Sequence, residues 1–226
     1  MIKAFIFDVG GTLVKTDEAI LNALTFALKE NGISFQEKDK EKVIQVFGQG
    51  QLKNVQTAVE VSYLGSEKEK KIKDCFASFK NIFPRKVMHD FALLPFVAES
   101  LDALKKQGKK LAVLTGFDTQ ETAFFLEHLQ LNNYFDLILS AEDIGKHRPN
   151  PQGLLLALER LQLKKEEVLY VGDAWVDIQF ARNAGVKVCC VKTGAQDNAL
   201  LENEKPEYLV KDFKEMVSLL LKMESA

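Results

Sequence analysis

Asp8 ends an apolar run and is followed by Val9, Gly10, Gly11 and Thr12. A carboxylate at the exit of a buried strand, beside a glycine turn, can meet a ligand while its backbone stays fixed. The pattern returns in Gly172-Asp173-Ala174-Trp175-Val176-Asp177, where two carboxylates at i and i+4 stack on one side of an opening helical turn. Two such strand ends can gather hard oxygens round Mg²⁺, which accepts one or two carboxylates, waters and a phosphate oxygen. Thr115-Gly116 ends a third run before Phe117 and Asp118 open a helix. A hydroxyl and free N–H groups there suit an anion. Arg148-Pro149-Asn150-Pro151 precedes another helix, and a guanidinium there could hold a phosphate bidentately. Each group also has a plain structural role: Asp8 as a turn residue, Asp173 as a helix N-cap, Arg148 with Lys146 and His147 as solvated loop charges. What argues for one shared site is their order, each just after a strand or before a helix.

The elements that must position them are legible as apolar runs. Residues 4–7, 111–114, 168–171 and 186–191 read as buried parallel strands, rich in Val, Leu and Ile without alternation. Residues 136–139 read as a further short strand. Helices are expected at 97–106, 119–129, 151–161 and 175–184, with Pro151 in a first turn and Gly185 as a stop. Strand–helix alternation predicts an α/β fold with a doubly wound parallel sheet. About a hundred residues separate the first strand from the next, far more than a crossover needs. Helical patterns fill that gap at 18–30, 40–46, 52–63 and 67–82. The expected organisation is a core of 1–14 and 89–226 with a helical module, 15–88, inserted above the strand ends as a lid. Hinges are expected near 14–17 and 89–95.

The chain has 226 residues, 46% apolar and 27% charged, with 30 basic residues against 32 acidic ones. No block of Lys and Arg stands apart from balancing acids, which argues against a nucleic-acid footprint. The apolar runs are strand-sized, so no transmembrane helix is expected. The N-terminus lacks the features of a signal peptide. Three cysteines, Cys75, Cys189 and Cys190, form no ligand pattern; reduced thiols and a cytoplasmic setting are the default. Cys189 and Cys190 should point to opposite faces of a strand. His89, His128 and His147 are isolated, and Trp175 is expected to pack.

Taken in order, Asp8-x-Gly-Gly-Thr12, Thr115, Arg148-Pro-x-Pro and Gly-Asp173-x-x-x-Asp177 resemble the haloacid dehalogenase-like (HAD) hydrolase superfamily across essentially the whole core. The resemblance implies a Rossmann-like core with a helical cap at 15–88. It implies Asp8 as a nucleophile that forms an aspartyl-phosphate. Mg²⁺ would be held by Asp8, the Gly10 carbonyl and Asp173, with Asp177 a ligand or just behind. Thr115 and the Gly116 amide would bind the transferring group, Gly11 and Thr12 would lie beside the substrate, and Arg148 stands where the family has Lys or Arg. A small phosphorylated or phosphonate substrate follows, with the cap as the expected place for a homodimer contact.

One departure stands out. Phosphatases of this superfamily carry a second Asp two residues after the nucleophile, to protonate the leaving oxygen and later activate water; here that residue is Gly10. Three readings remain open: another group or water supplies the acid, the leaving group needs no proton from that residue, or the protein is inactive and binds a phospho-ligand or partner. The departure resembles the phosphonoacetaldehyde hydrolase branch, with its Asp-x-Ala-Gly-Thr motif and a cap lysine that forms a Schiff base. Lys53 is the only charged residue between Val43 and Val59, and Gly50-x-x-Lys53 resembles that lysine's setting. A lysine in apolar surroundings has the lowered pKa an imine requires; equally, it can snorkel from a helix face. Dehalogenases of the superfamily also lack the second Asp, but they have lost the metal-ligating Asp that Asp173 matches, and they place a tyrosine where this chain has Leu154.

Overall fold

The four residues of β1 (Ala4–Phe7) are apolar without alternation and all buried, because both faces of their sheet are covered. Alternate side chains feed opposite sides: Phe5 and Phe7 join one apolar cluster, Ala4 and Ile6 the other. The computed structural model describes residues 1–84 and 91–224. His89 and the expected core boundary at 89 lie outside them.

Five further strands complete the sheet: β4 (Lys110–Leu114), β5 (Leu137–Leu139), β6 (Val168–Gly172), β7 (Lys187–Val191) and β8 (Tyr208–Val210). Its order is β5-β4-β1-β6-β7-β8, with every pairing parallel. The chain builds from β1 outward on one side and then on the other, so β1 sits at the topological switch where open α/β sheets bind ligands. Register then fixes the site. Phe7 lies level with Val113 on one side and Val171 on the other. The next residues, Asp8, then Thr115 and Asp173, therefore emerge together at the carboxyl edge. Cys189 and Cys190 fall into opposite clusters.

Helices α5 (Val97–Lys106), α6 (Thr119–His128), α7 (Ala141–Ile144), α8 (Gln152–Leu161), α9 (Trp175–Ala184), α10 (Asn198–Asn203) and α11 (Phe213–Glu224) flank the sheet. Pro151 caps α8 rather than opening its first turn, a difference of one residue at a fraying end. Gly185 ends α9 in the left-handed region, φ 70°. Among the described residues, β8, α7, α10 and α11 were not expected from the runs.

The inserted segment carries α1 (Asp17–Glu30), α2 (Lys40–Ile44), α3 (Gln51–Ser62) and α4 (Lys68–Ile82). Helices α1, α3 and α4 pack on one another. A short antiparallel ribbon of β2 (Val14–Lys15) and β3 (Ala92–Leu93) joins the outgoing and returning chain, so the expected boundary between 14 and 15 falls inside β2. The Phe83 ring stacks on Phe79 at 5.1 Å and on Phe117 at 5.8 Å, tying the helical layer to the loop after β4. No described helix is long and apolar enough to cross a membrane.

Candidate active site

Asp8, Asp173 and Asp177 are all buried and present carboxylate oxygens within 4.8 Å of one another. Like charges this close need a counter-charge. Arg148 provides one: its Nη2 donates to Asp8 Oδ1 at 2.8 Å, and its Nη1 pairs with Asp177 and donates to the Tyr170 hydroxyl at 3.0 Å. Tyr170 in turn donates to Asp177 Oδ1 at 2.9 Å. The other Asp177 oxygen accepts from the amides of Asp173 and Ala174, at 3.2 and 3.0 Å. Both its oxygens are thus engaged, which makes Asp177 the group that orients Arg148 and the turn into α9.

Asp173 is held by the Thr12 hydroxyl, which donates to its Oδ1 at 2.7 Å. Its carboxylate lies against two backbone turns: a Cβ on Gly11 (φ +78°) would stand 2.3 Å from Oδ2, and one on Gly194 only 1.9 Å away. Only glycine fits there. Thr12 and Gly11, expected beside the substrate, instead pack on Asp173 and are absent from the cavity wall.

One arginine against three carboxylates leaves excess negative charge. Burial raises the Asp8 carboxyl to about 6, against the pull of Arg148. Burial, then Asp177 and Asp8, push Asp173 well above the usual carboxylate range. An oxygen-only donor set with unbalanced negative charge fits a hard divalent cation such as Mg²⁺.

Above the cluster lies a cavity of about 60 Å³, lined from the core by Asp8, Gly10, Thr115, Gly116, Arg148 and Asp173. That is room for a few water-sized groups. Thr115 is buried, and its Oγ1 accepts from the Phe117 amide at 3.2 Å. From the helical layer Thr16, Asp17, Ile20, Phe47, Gly48, Gly50, Gln51 and Asn54 close the cavity. Tethers hold that layer down on two sides. On one, Lys80 pairs with Asp118 and, at 2.7 Å, with Glu121, while Gln51 donates to Glu121 at 2.9 Å. On the other, the Trp175 indole donates to the Gln45 carbonyl at 3.0 Å.

The haloacid dehalogenase-like hydrolase family model matches residues 5–191. The chain belongs to the haloacid dehalogenase-like hydrolases. A phosphoglycolate phosphatase of Nitrosospira multiformis is 31% identical over 85% of this chain and 84% of its own length. A pyrophosphatase PpaX of Bacillus mycoides is 28% identical over 97% of each chain. A crystal structure described as a predicted phosphoglycolate phosphatase from Haemophilus somnus superposes with a TM-score of 0.84 at 25% identity, covering 97% of this chain and 98% of the other.

Of the residues this hydrolase was expected to use, Asp8, Gly10, Thr115, Gly116, Arg148 and Asp173 meet at one cavity. Lys53 does not join them. It is half-buried on α3, and the wall from that segment consists of Gly50, Gln51 and Asn54. At 100° per residue Asn54 lies about 60° round the helix from Gln51, and Lys53 about 160°. Helical-face arithmetic anchored on Gly50 and Gln51 points to Asn54. Asp17 is not singled out by the sequence either: the expected helix begins at residue 18, and 17 enters only as the end of a hinge at 14–17. Tyr170 was hidden inside an apolar strand run.

Proposed function

We propose that this hydrolase is a metal-assisted phosphatase of small phosphate monoesters, with Asp8 as nucleophile. The observation that carries the reading is the buried cluster of Asp8, Asp173 and Asp177 beside Arg148, with Asp8 and Asp173 lining the cavity. Asp8, Asp173 and the Gly10 carbonyl are the groups that would hold Mg²⁺. When bound, the ion neutralises and orients the phosphoryl oxygens. Thr115 and the Gly116 amide bind the phosphoryl group, and Arg148 keeps Asp8 ionised and aimed.

An Asp8 oxygen attacks phosphorus, the bond to the leaving oxygen breaks, and its electron pair goes to that oxygen. A proton must meet it, and Gly10 has none to give. Asp17 is the cavity-wall carboxyl outside the metal cluster, and burial raises its pKa, which favours the protonated donor. In the second step Asp17 takes a proton from water as that water attacks the aspartyl-phosphate and releases Asp8.

A carbon–phosphorus-cleaving version has Gly10 in its favour, since an imine at Lys53 would replace the acid. It needs an amine in the cavity wall, and α3 contributes Gln51 and Asn54 there. The ester reading is therefore preferred.

The test is turnover of p-nitrophenyl phosphate with Mg²⁺. Chelator should abolish it, Mg²⁺ should restore it, and Asp8→Asn should remove it with the fold intact, because an amide cannot form the covalent intermediate. Turnover that survives either change refutes the reading.

A further inference from the structure

Helix α3 begins at the cavity: its N-cap residue Gly50, its first residue Gln51 and, one turn on, Asn54 all form part of the wall. The start of this helix is uncapped. Gly50 has no side chain to cap it, and none fits, because φ is 103° and a Cβ there would stand 3.0 Å from His147 Nδ1. The Asn54 amide donates to the Gly50 carbonyl at 3.2 Å, but those of Gln51, Leu52 and Lys53 have no acceptor among the described residues. The first turn holds no acid and carries Lys53 instead, so the positive end of the helix dipole lacks a counter-charge.

A second, independent observation points the same way. Asn54 is only 4% exposed. Its Oδ1 is fully buried, so the amide atom it presents to the cavity is Nδ2, a donor, which has no acceptor among the described residues. Beside it the wall is apolar, with Ile20, Phe47 and Phe117, and a donor held in such surroundings without a partner is costly. The other amide side chains of the wall are spent. Gln51 donates to Glu121 at 2.9 Å and accepts from Lys80 at 3.2 Å, which also fixes the start of α3 against the core. Gln196 accepts from the Trp175 amide at 3.0 Å and donates to the carbonyls of Ile44 and Gln45 at 3.3 Å.

We propose that Asn54 Nδ2 and the N-terminus of α3 together hold an anion on the leaving group, so that the substrate carries a carboxylate or a second phosphoryl group close to the phosphoryl group it loses. The inference rests on the phosphatase reading and narrows it. Once the transferring group meets the core residues, the leaving group meets the helical layer, and the unspent polar groups at the start of α3 are all donors. An anionic oxygen pairs with them and supplies the counter-charge the helix start lacks. A plain alkyl chain would leave Nδ2 buried and unpaired. The cavity of about 60 Å³ keeps the two anions near each other. Asn54 is a specificity residue, placed by α3.

The experiment compares kcat/KM for 2-phosphoglycolate, pyrophosphate and ethyl phosphate. The first and last share a two-carbon leaving group and differ in the carboxylate; pyrophosphate carries the phosphoryl alternative. The parent should prefer one of the two anionic substrates over ethyl phosphate by at least about tenfold, the share of a hydrogen bond to a charged group, and which one it prefers tells carboxylate from phosphoryl. Asn54→Asp puts a carboxylate where the donor stands and should lower that preference at least about tenfold. Asn54→Leu removes the donor without adding charge and should lower it in the same direction. Should either variant not fold, Asn54→Ala is read in its place. A parent that hydrolyses p-nitrophenyl phosphate yet prefers neither anionic substrate overturns this inference and leaves the phosphatase reading standing, as does a preference that survives these substitutions. A parent that hydrolyses none of the four overturns both.

Discussion

Replacing Arg148 by methionine removes the cation that, among the described residues, pairs with the acidic cluster, while keeping much of the side chain's volume. Arg148 Nη2 lies 2.8 Å from Asp8 Oδ1, and both side chains are only 5% exposed. At an effective dielectric near 20, one such contact is worth about 6 kcal/mol before desolvation is counted. Much of that is cancelled by the cost of burying the ions, and breaking a buried pair by deleting one partner typically costs about 3–5 kcal/mol. For a chain of this size each kcal/mol moves the melting temperature by about 2–4 °C. The metal-free variant should therefore melt about 6–20 °C below the parent. Mg²⁺ adds a second signature. A ligand at a hundred times its dissociation constant stabilises by about 2.7 kcal/mol. With Arg148 gone the ion becomes the cluster's only counter-charge, so the Mg²⁺-induced rise should be larger in Arg148→Met than in the parent. The assay is calorimetry of both proteins with chelator and across a Mg²⁺ series. Equal melting without metal, or equal metal-induced rises, would refute the charge accounting on which the site is built.

Two further outcomes follow from the cavity wall. Asp17→Asn should slow alkyl phosphates by about 10²–10⁴-fold, the usual share of a general acid, and slow p-nitrophenyl phosphate much less in the first step, since that leaving group departs as a stable anion; equal losses in single-turnover phosphorylation of Asp8 would remove Asp17 from the proton transfer. Lys53→Arg should hydrolyse phosphate esters as the parent does, and borohydride with phosphonoacetaldehyde should trap no adduct; a covalent adduct at Lys53 would restore the carbon–phosphorus reading.

The core half of the site was legible because parallel strands turn linear order into spatial order. Asp8, Thr115 and Asp173 each follow an apolar run, and the register that sets Phe7 level with Val113 and Val171 brings them to one edge. Arg148 could be placed near them but not paired, since its contacts to Asp8, Asp177 and Tyr170 depend on how the loop before α8 folds over the sheet. The helical half was less legible. Which side of α3 faces the cavity is decided by packing against α4 and by the Gln51–Glu121 tether, neither of which is written in the sequence locally. Lys53 stood out by its charge, whereas Asn54 is set apart by geometry. The family resemblance put Thr12 and Gly11 beside the substrate; in the structure both lie against Asp173.

The glycine at position 10 and the threonine at position 16 are best understood together. A Cβ on Gly10 would stand 2.9 Å from Thr16 Oγ1. Thr16 is the N-cap residue of α1, yet its side chain makes no capping bond; its hydroxyl occupies the space into which a larger residue at position 10 would grow. A side chain at position 10 would have to displace the Thr16 hydroxyl, and the next residue, Asp17, brings a carboxyl to the same cavity from the first turn of α1. Moving the acid from the loop to this helix changes what closure means. An acid on the core loop is present whether or not the helical layer covers the site. An acid at the start of α1, just beyond the β2–β3 ribbon, would travel with that layer if it lifts. On the proposed reading, nucleophile and metal ligands would remain assembled when the layer lifts, and proton transfer would wait until it is seated by Lys80, Gln51 and Trp175, when water would also be excluded. With Asp17 as the proposed acid, chemistry would be coupled to cap closure through one residue's position in the fold.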